Sequence, residues 1–176
     1  MAIRDETRML LETMGRLFED KCDKRTVDAA ETGAFAADLW TAVAETGVPL
    51  AALPESAGGA DAEWADLFYV LRVAGRFSAP IPLAETMLAG WVAASSGLDP
   101  VDGPMAVGPV RASDKLTLAR DGNGWRLTGV ASRIPYARHA ERTILIADGP
   151  DGEMAVALDG TGGADVAVGK NIANEA

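Results

Sequence analysis

The sequence predicts an α+β fold: an all-helical N-terminal domain over residues 1–103, then an incomplete antiparallel β domain over residues 104–176. Three observations carry this. Up to about Gly97, apolar side chains recur at spacings of three and four; from Leu98 onward they alternate instead. Leu53-Pro54-Glu55-Ser56-Ala57-Gly58-Gly59 places one proline and two glycines between two amphipathic stretches, a rigid entry followed by a permissive turn. Asp121-Gly122-Asn123-Gly124 separates two alternating runs, the signature of a β-hairpin.

The elements follow in order. Leu10, Met14, Leu17 and Phe18 share one face of a first helix, with charges opposite. Phe35, Leu39, Trp40 and Val43 mark a second, stopped by Gly47 and Pro49. A third is expected from an N-cap at Asp61 to Arg76, with Trp64, Leu67, Phe68, Leu71 and Ala74 inward. Pro80 and Pro82 impose an extended break. A fourth then runs from Leu83 to about Ser95, with Met87, Leu88, Trp91 and Val92 facing the core. In the β part, 116–120 and 125–129 form the hairpin, and 143–147 and 153–158 are short strands across a Gly-Pro-Asp-Gly turn. Asp165–Lys170 is expected to begin another strand, and residues 171–176 to trail off without a partner. Few complete strands are then left for a closed β domain, hence the expectation that it is incomplete.

Composition narrows the function. With 176 residues and 48% hydrophobic side chains the chain can bury a substantial core. A net charge of −10 and a pI near 4.5 leave no basic surface for a nucleic-acid partner. No apolar run reaches the roughly 20 residues that cross a bilayer, and the N-terminus has no signal-peptide core. The expectation is a soluble, acidic, cytoplasmic protein. One cysteine, Cys22, and one histidine, His139, exclude a disulfide framework, a cysteine-based metal cluster and a multi-histidine metal site. Cys22 reads as a spectator, and His139, amid Arg138, Glu141 and Arg142, as a solvated turn residue. Trp40, Trp64 and Trp91 read as core residues. Neither Gly58-Gly59 nor Gly160-Thr161-Gly162-Gly163 has the context of a phosphate-binding loop. No catalytic residue and no metal ligand is assigned.

The order helix, Gly47-Val48-Pro49, Leu53-Pro54-Glu55-Ser56-Ala57-Gly58-Gly59, helix resembles the N-terminal part of the acyl-CoA dehydrogenase family. Ala74-Gly75-Arg76 and Ser78-Ala79-Pro80 resemble the family's next helix end and its link onward. Two further stretches resemble the segments that touch flavin and acyl-CoA. Ala106-Val107-Gly108-Pro109-Val110-Arg111-Ala112-Ser113-Asp114 is similar to Leu-Thr-Glu-Pro-x-Ala-Gly-Ser-Asp, with Val107 for the flavin-binding Thr and Gly108 for the Glu. Thr128 to Ala137 is similar to Thr-Gly-x-Lys-x-Trp-Ile-Thr/Ser-Asn-Gly, with Arg133 for the Trp and Pro135 for the Thr. Pro135 offers neither a hydroxyl nor a backbone N–H.

The resemblance implies an FAD cofactor lined by Ala106, Val107, Ile134 and Pro135, and an acyl-CoA substrate touched by Ser113. The reaction implied is α,β-dehydrogenation, proton loss from Cα as a hydride leaves Cβ. In the family the proton-removing carboxylate belongs to a C-terminal helical domain, so this chain alone is expected to be inactive. An acidic surface disfavours CoA phosphates unless Arg111, Arg133 and Arg138 gather locally. The resemblance also implies a homo- or hetero-oligomer of related subunits. The altered flavin positions leave open a second reading, a non-catalytic partner subunit.

Overall fold

The computed structural model describes residues 4–169. Five helices precede five strands: α1 Asp5–Lys21, α2 Lys24–Glu31, α3 Ala37–Ala44, α4 Trp64–Arg76 and α5 Leu83–Ser95, then β1 Met105–Gly108, β2 Lys115–Asp121, β3 Gly124–Val130, β4 Arg142–Gly149 and β5 Gly152–Asp159. The α+β class stands as expected. The strands, however, form one mixed sheet of five. β2–β3 and β4–β5 are antiparallel hairpins, as the turn residues require, but β1 and β2 both run parallel to β4. The parallel pairs join strands separated by long connections, where no turn residue announces the partner.

The helices pack through the positions their periodicity marks. Met14 and Phe18 of α1, Leu39 and Val43 of α3, and Leu67 and Val70 of α4 are completely or almost completely buried in one cluster. Phe18 stacks on Phe77, ring centroids 5.9 Å apart. At the rim, Asp66 of α4 accepts a hydrogen bond from the Thr7 hydroxyl of α1 at 2.8 Å and pairs with Arg4.

Four expectations change. α2 was not foreseen; its start is fixed by Asp23, whose carboxylate accepts from the Thr26 amide at 2.8 Å. Asp61 does not cap α4, which starts at Trp64 with Glu63 ahead of it and no side-chain cap. The Asp61 carboxylate instead accepts from the Glu55 amide at 3.3 Å and helps close the preceding loop. On α5 the buried residues are Leu83, Thr86, Met87, Ala89, Gly90 and Ala93, while Leu88 and Trp91 are each 44% exposed. Trp91 therefore is not core; it meets Trp64 edge-on at 6.2 Å, beside Phe68, which is 61% exposed where the helix pattern placed it inward. Finally, residues 165–169 form no strand, and 170–176 lie outside the described residues.

The small residues on α5 have a reason. They let the helix lie directly on β1: Ala89 and Ala93 share a buried cluster with Met105 and Ile144. The Thr86 hydroxyl, fully buried, accepts from the Met105 amide at 3.0 Å. Helical layer and sheet are thus joined by apolar contact and by the bonds of the Thr86 hydroxyl to the amide and carbonyl of Met105, on the strand that carries the first flavin-like segment.

Candidate functional site

Each of the two segments picked out above sits where a strand gives way to a loop. Ala106, Val107 and Gly108 lie on β1, in register with Thr143, Ile144 and Leu145 of β4. Ala106 is sealed from solvent, Val107 is half-buried, and Gly108 is buried. Thr128 to Val130 end β3, and the loop 131–141 carries the rest of the second segment, with Ile134 half-buried and Pro135 exposed.

Gly108 brings the two together. A Cβ placed there would fall 2.7 Å from Ile134 Cδ1 and 3.2 Å from Leu145 Cδ2, so Ile134 occupies the space that a side chain would fill. Gly108 and Ile134 therefore form one closely packed apolar contact on the Leu145 face of the sheet, whereas Val107 lies on the opposite face with Ala89, Ala93 and Ile144. Ala106 is fully buried and presents nothing to solvent.

A polar contact makes the same connection. Asp114 accepts from the Ser132 amide at 2.7 Å and from the Ser132 hydroxyl at 2.6 Å. Those two bonds, with a smaller contribution from Arg111, hold the Asp114 carboxyl below the usual carboxylate range. Neither Asp114 nor Ser132 was singled out from the sequence; the only signal was the terminal Asp of the first segment. Ser113, the expected substrate contact, is exposed in the turn immediately before Asp114. Arg111 and Arg133 are exposed on either side of the Asp114–Ser132 contact, and Arg138 is exposed further along the loop.

His139 departs from its expected role. It is half-buried and stacks on Phe35 of the α2–α3 connection, centroids 5.0 Å apart and planes inclined by 18°. Burial, and then Arg138, push its pKa below the ordinary histidine value. Cys22 conforms to the spectator reading: it is buried, its thiol donates to the Phe77 carbonyl at 3.4 Å, and burial pushes its pKa up.

Two other features bear on function. A cleft of about 460 Å³ lies between the Pro54–Ala57 turn and the end of α5, lined also by Leu98 and Asp99; no residue of the two segments lines it. Among the described residues there is no cluster of three potential metal ligands, and no helix is long and apolar enough to cross a membrane.

As a cradle for a flavin, the surface fits in one respect and not in another. Ile134, seated on Gly108, and Pro135 after it in the loop offer apolar side chains to a ring face. They offer no hydroxyl to its polar edge, and Pro135 no N–H.

Comparison with known proteins bears on this arrangement. The family profile "Acyl-CoA dehydrogenase, N-terminal domain" matches residues 4–99, just over half of the chain. The acyl-CoA dehydrogenase FadE27 of Mycobacterium tuberculosis is 30% identical over 154 residues, which is 76% of this chain and 39% of that protein. Among solved structures, a variant of the Tcur3481-Tcur3483 steroid ACAD superposes with a TM-score of 0.77 at 29% identity, over 88% of this chain and 48% of that one. The ChsE4-ChsE5 complex of Mycobacterium tuberculosis gives 0.76 at 20% identity, over 90% and 48%, a likeness of fold. The chain thus spans about half, or less, of the length of these relatives. With the profile match covering all five helices, and the fold continuing the likeness through the sheet, the chain belongs to the acyl-CoA dehydrogenase family.

Proposed function

We propose that this chain supplies the helical and β-sheet part of an acyl-CoA dehydrogenase-like protein, and that Ile134 and Pro135, over the Ala106–Val107–Gly108 edge of β1, form its flavin-facing wall. One observation carries the reading: Ile134 seated on Gly108, which unites the two segments that resemble the family's flavin contacts. Ser113, at the exposed turn beside that wall, is the substrate-side contact in this reading. The whole protein's reaction is FAD-dependent α,β-dehydrogenation of an acyl-CoA thioester, bound FAD accepting the hydride. This chain's contribution is to shape the wall and exclude water from it.

The chain does not supply the base. Asp114 is the carboxylate that contacts the second segment, but Ser132 occupies both its oxygens and lowers its proton affinity. A general base at neutral pH needs the opposite, a carboxylate raised toward the working pH. The isolated chain is accordingly inactive. A cytoplasmic setting goes with this reading, consistent with a buried free thiol at Cys22.

A second reading has its own support. Val107 and Pro135 lack the hydroxyls of the family pattern, which suits a non-catalytic companion to a flavin-competent subunit. Two of the similar structures bear names that pair two chains. The absorption spectrum of the purified chain, taken with its intact mass, separates the two. Flavin bands support the first reading. A colourless protein that forms a stable complex with a flavin-bearing relative supports the second; a colourless protein that neither binds FAD nor such a relative overturns both.

A further inference from the structure

Loop 131–141 has a backbone that must be held in place. Arg133 and Tyr136 lie in the left-handed region at φ 59° and 56°, which crowds Cβ against the carbonyl in any residue but glycine. Contacts from several elements restrain it. Ser132 gives two hydrogen bonds to Asp114, Ile134 rests on Gly108, His139 stacks on Phe35, and the Glu141 amide donates to the Pro104 carbonyl at 2.7 Å. Within the loop the His139 amide donates to the Tyr136 carbonyl at 2.8 Å.

The first contact differs from the others. It lies directly before the left-handed Arg133, it spans 18 residues of sequence, and it matches two donors of one residue to two oxygens of one carboxylate. Bonds to a charged acceptor are the stronger kind, and two of them fix an orientation where one fixes only a distance.

We propose that Asp114 and Ser132 are positioning residues, a two-point clamp that sets loop 131–141 over β1 and so decides where Ile134 stands against Gly108 and where Pro135 follows it. What the loop presents to a ligand rests on the flavin reading above; the clamp itself does not.

The test compares the 176-residue protein with its Asp114→Ala, Ser132→Ala and Ser132→Thr variants by hydrogen-exchange protection and by FAD titration. The reporter is the His139 amide, with the β4–β5 amides as the internal control for global stability. Expected is a tenfold or greater loss of protection at His139 in Asp114→Ala, a smaller loss in Ser132→Ala, and near-complete recovery in Ser132→Thr, while the control amides keep theirs. If the wild type binds FAD, the dissociation constant rises at least tenfold in Asp114→Ala and stays close to wild type in Ser132→Thr. Protection at His139 within twofold of wild type in both alanine variants overturns the clamp. Should Asp114→Ala fail to fold, the Ser132→Ala and Ser132→Thr pair decides alone. Absence of FAD binding in the wild type counts against the flavin reading and leaves the exchange result to judge the clamp.

Discussion

At Gly59 the nearest neighbour is backbone, not side chain. A Cβ there would lie 2.0 Å from the Leu53 carbonyl oxygen, and Gly58 before it turns through φ 82°. The pair is therefore needed twice over, once for conformation and once for space. Gly59→Ala is expected to cost about 3 kcal/mol or more, because no rotamer can relieve a clash with main chain. Gly108→Ala is milder, about 1 kcal/mol, since the atom it meets first is the end of the Ile134 side chain. Urea midpoints of the two variants should rank in that order. Glycine pairs are visible in a sequence, yet only the fold shows which one is pressed against a carbonyl and which makes room for a partner segment.

Among the elements, α2 and α5 show what periodicity conveys and what it omits. α2 reads Lys-Arg-Thr-Val-Asp-Ala-Ala-Glu, and only Ala30 is buried, so it carries almost no apolar stripe to detect. Its signal was the cap: Asp23 three residues before Thr26. The Thr26 amide and then its hydroxyl hold the Asp23 carboxyl below its ordinary value. A depressed carboxylate contributes stability that is complete above about pH 4 and lost as pH falls through the lowered value. Acidification should therefore strip protection from the Thr26 amide in the wild type, and Asp23→Ala should lack that protection at neutral pH already.

The helix α5 was placed correctly, with Met87 and Val92 inward as expected but Leu88 and Trp91 turned outward. Large side chains suggested its inner face, whereas close approach to β1 demands small ones, as Gly90 shows: a Cβ there would sit 3.1 Å from Met105 Cε. Thr86→Val preserves shape but leaves the buried Met105 amide without its acceptor. Its expected cost is about 1–3 kcal/mol, again read from urea midpoints. The mixed sheet was half legible for a related reason. Hairpins advertise themselves through their turns, while the parallel registers of β1 and β2 against β4 depend on what lies between. The candidate wall shares this property: its motif segments can be read locally, but their meeting at Gly108 and at Asp114–Ser132 cannot.

For the molecule as a whole, the four tryptophans divide by environment. Trp40 is 6% exposed, whereas Trp91 and Trp125 are open to solvent, Trp125 with the Arg120 guanidinium 3.8 Å from its ring centroid. Acrylamide should quench the emission in two populations. Trp91→Phe and Trp125→Phe together should remove most of the accessible fraction, and Trp40→Phe should leave it nearly intact. An unchanged accessible fraction in the double variant would mean that α4 and α5 are arranged differently in solution.

The bond from Thr86 to Met105 also bears on how the protein can be divided. The natural place to cut an α+β chain is the connection near residue 103, between the last helix and the first strand. Here that cut would strand the Thr86 hydroxyl and the small-residue face of α5 without the strand they were shaped for. A split at the turn near Val110–Ala112 would leave β1 with the helices and keep the Thr86–Met105 bond, though not the Ile144 contact. The unit that should fold by itself and recombine with its complement thus extends one strand beyond the helical layer.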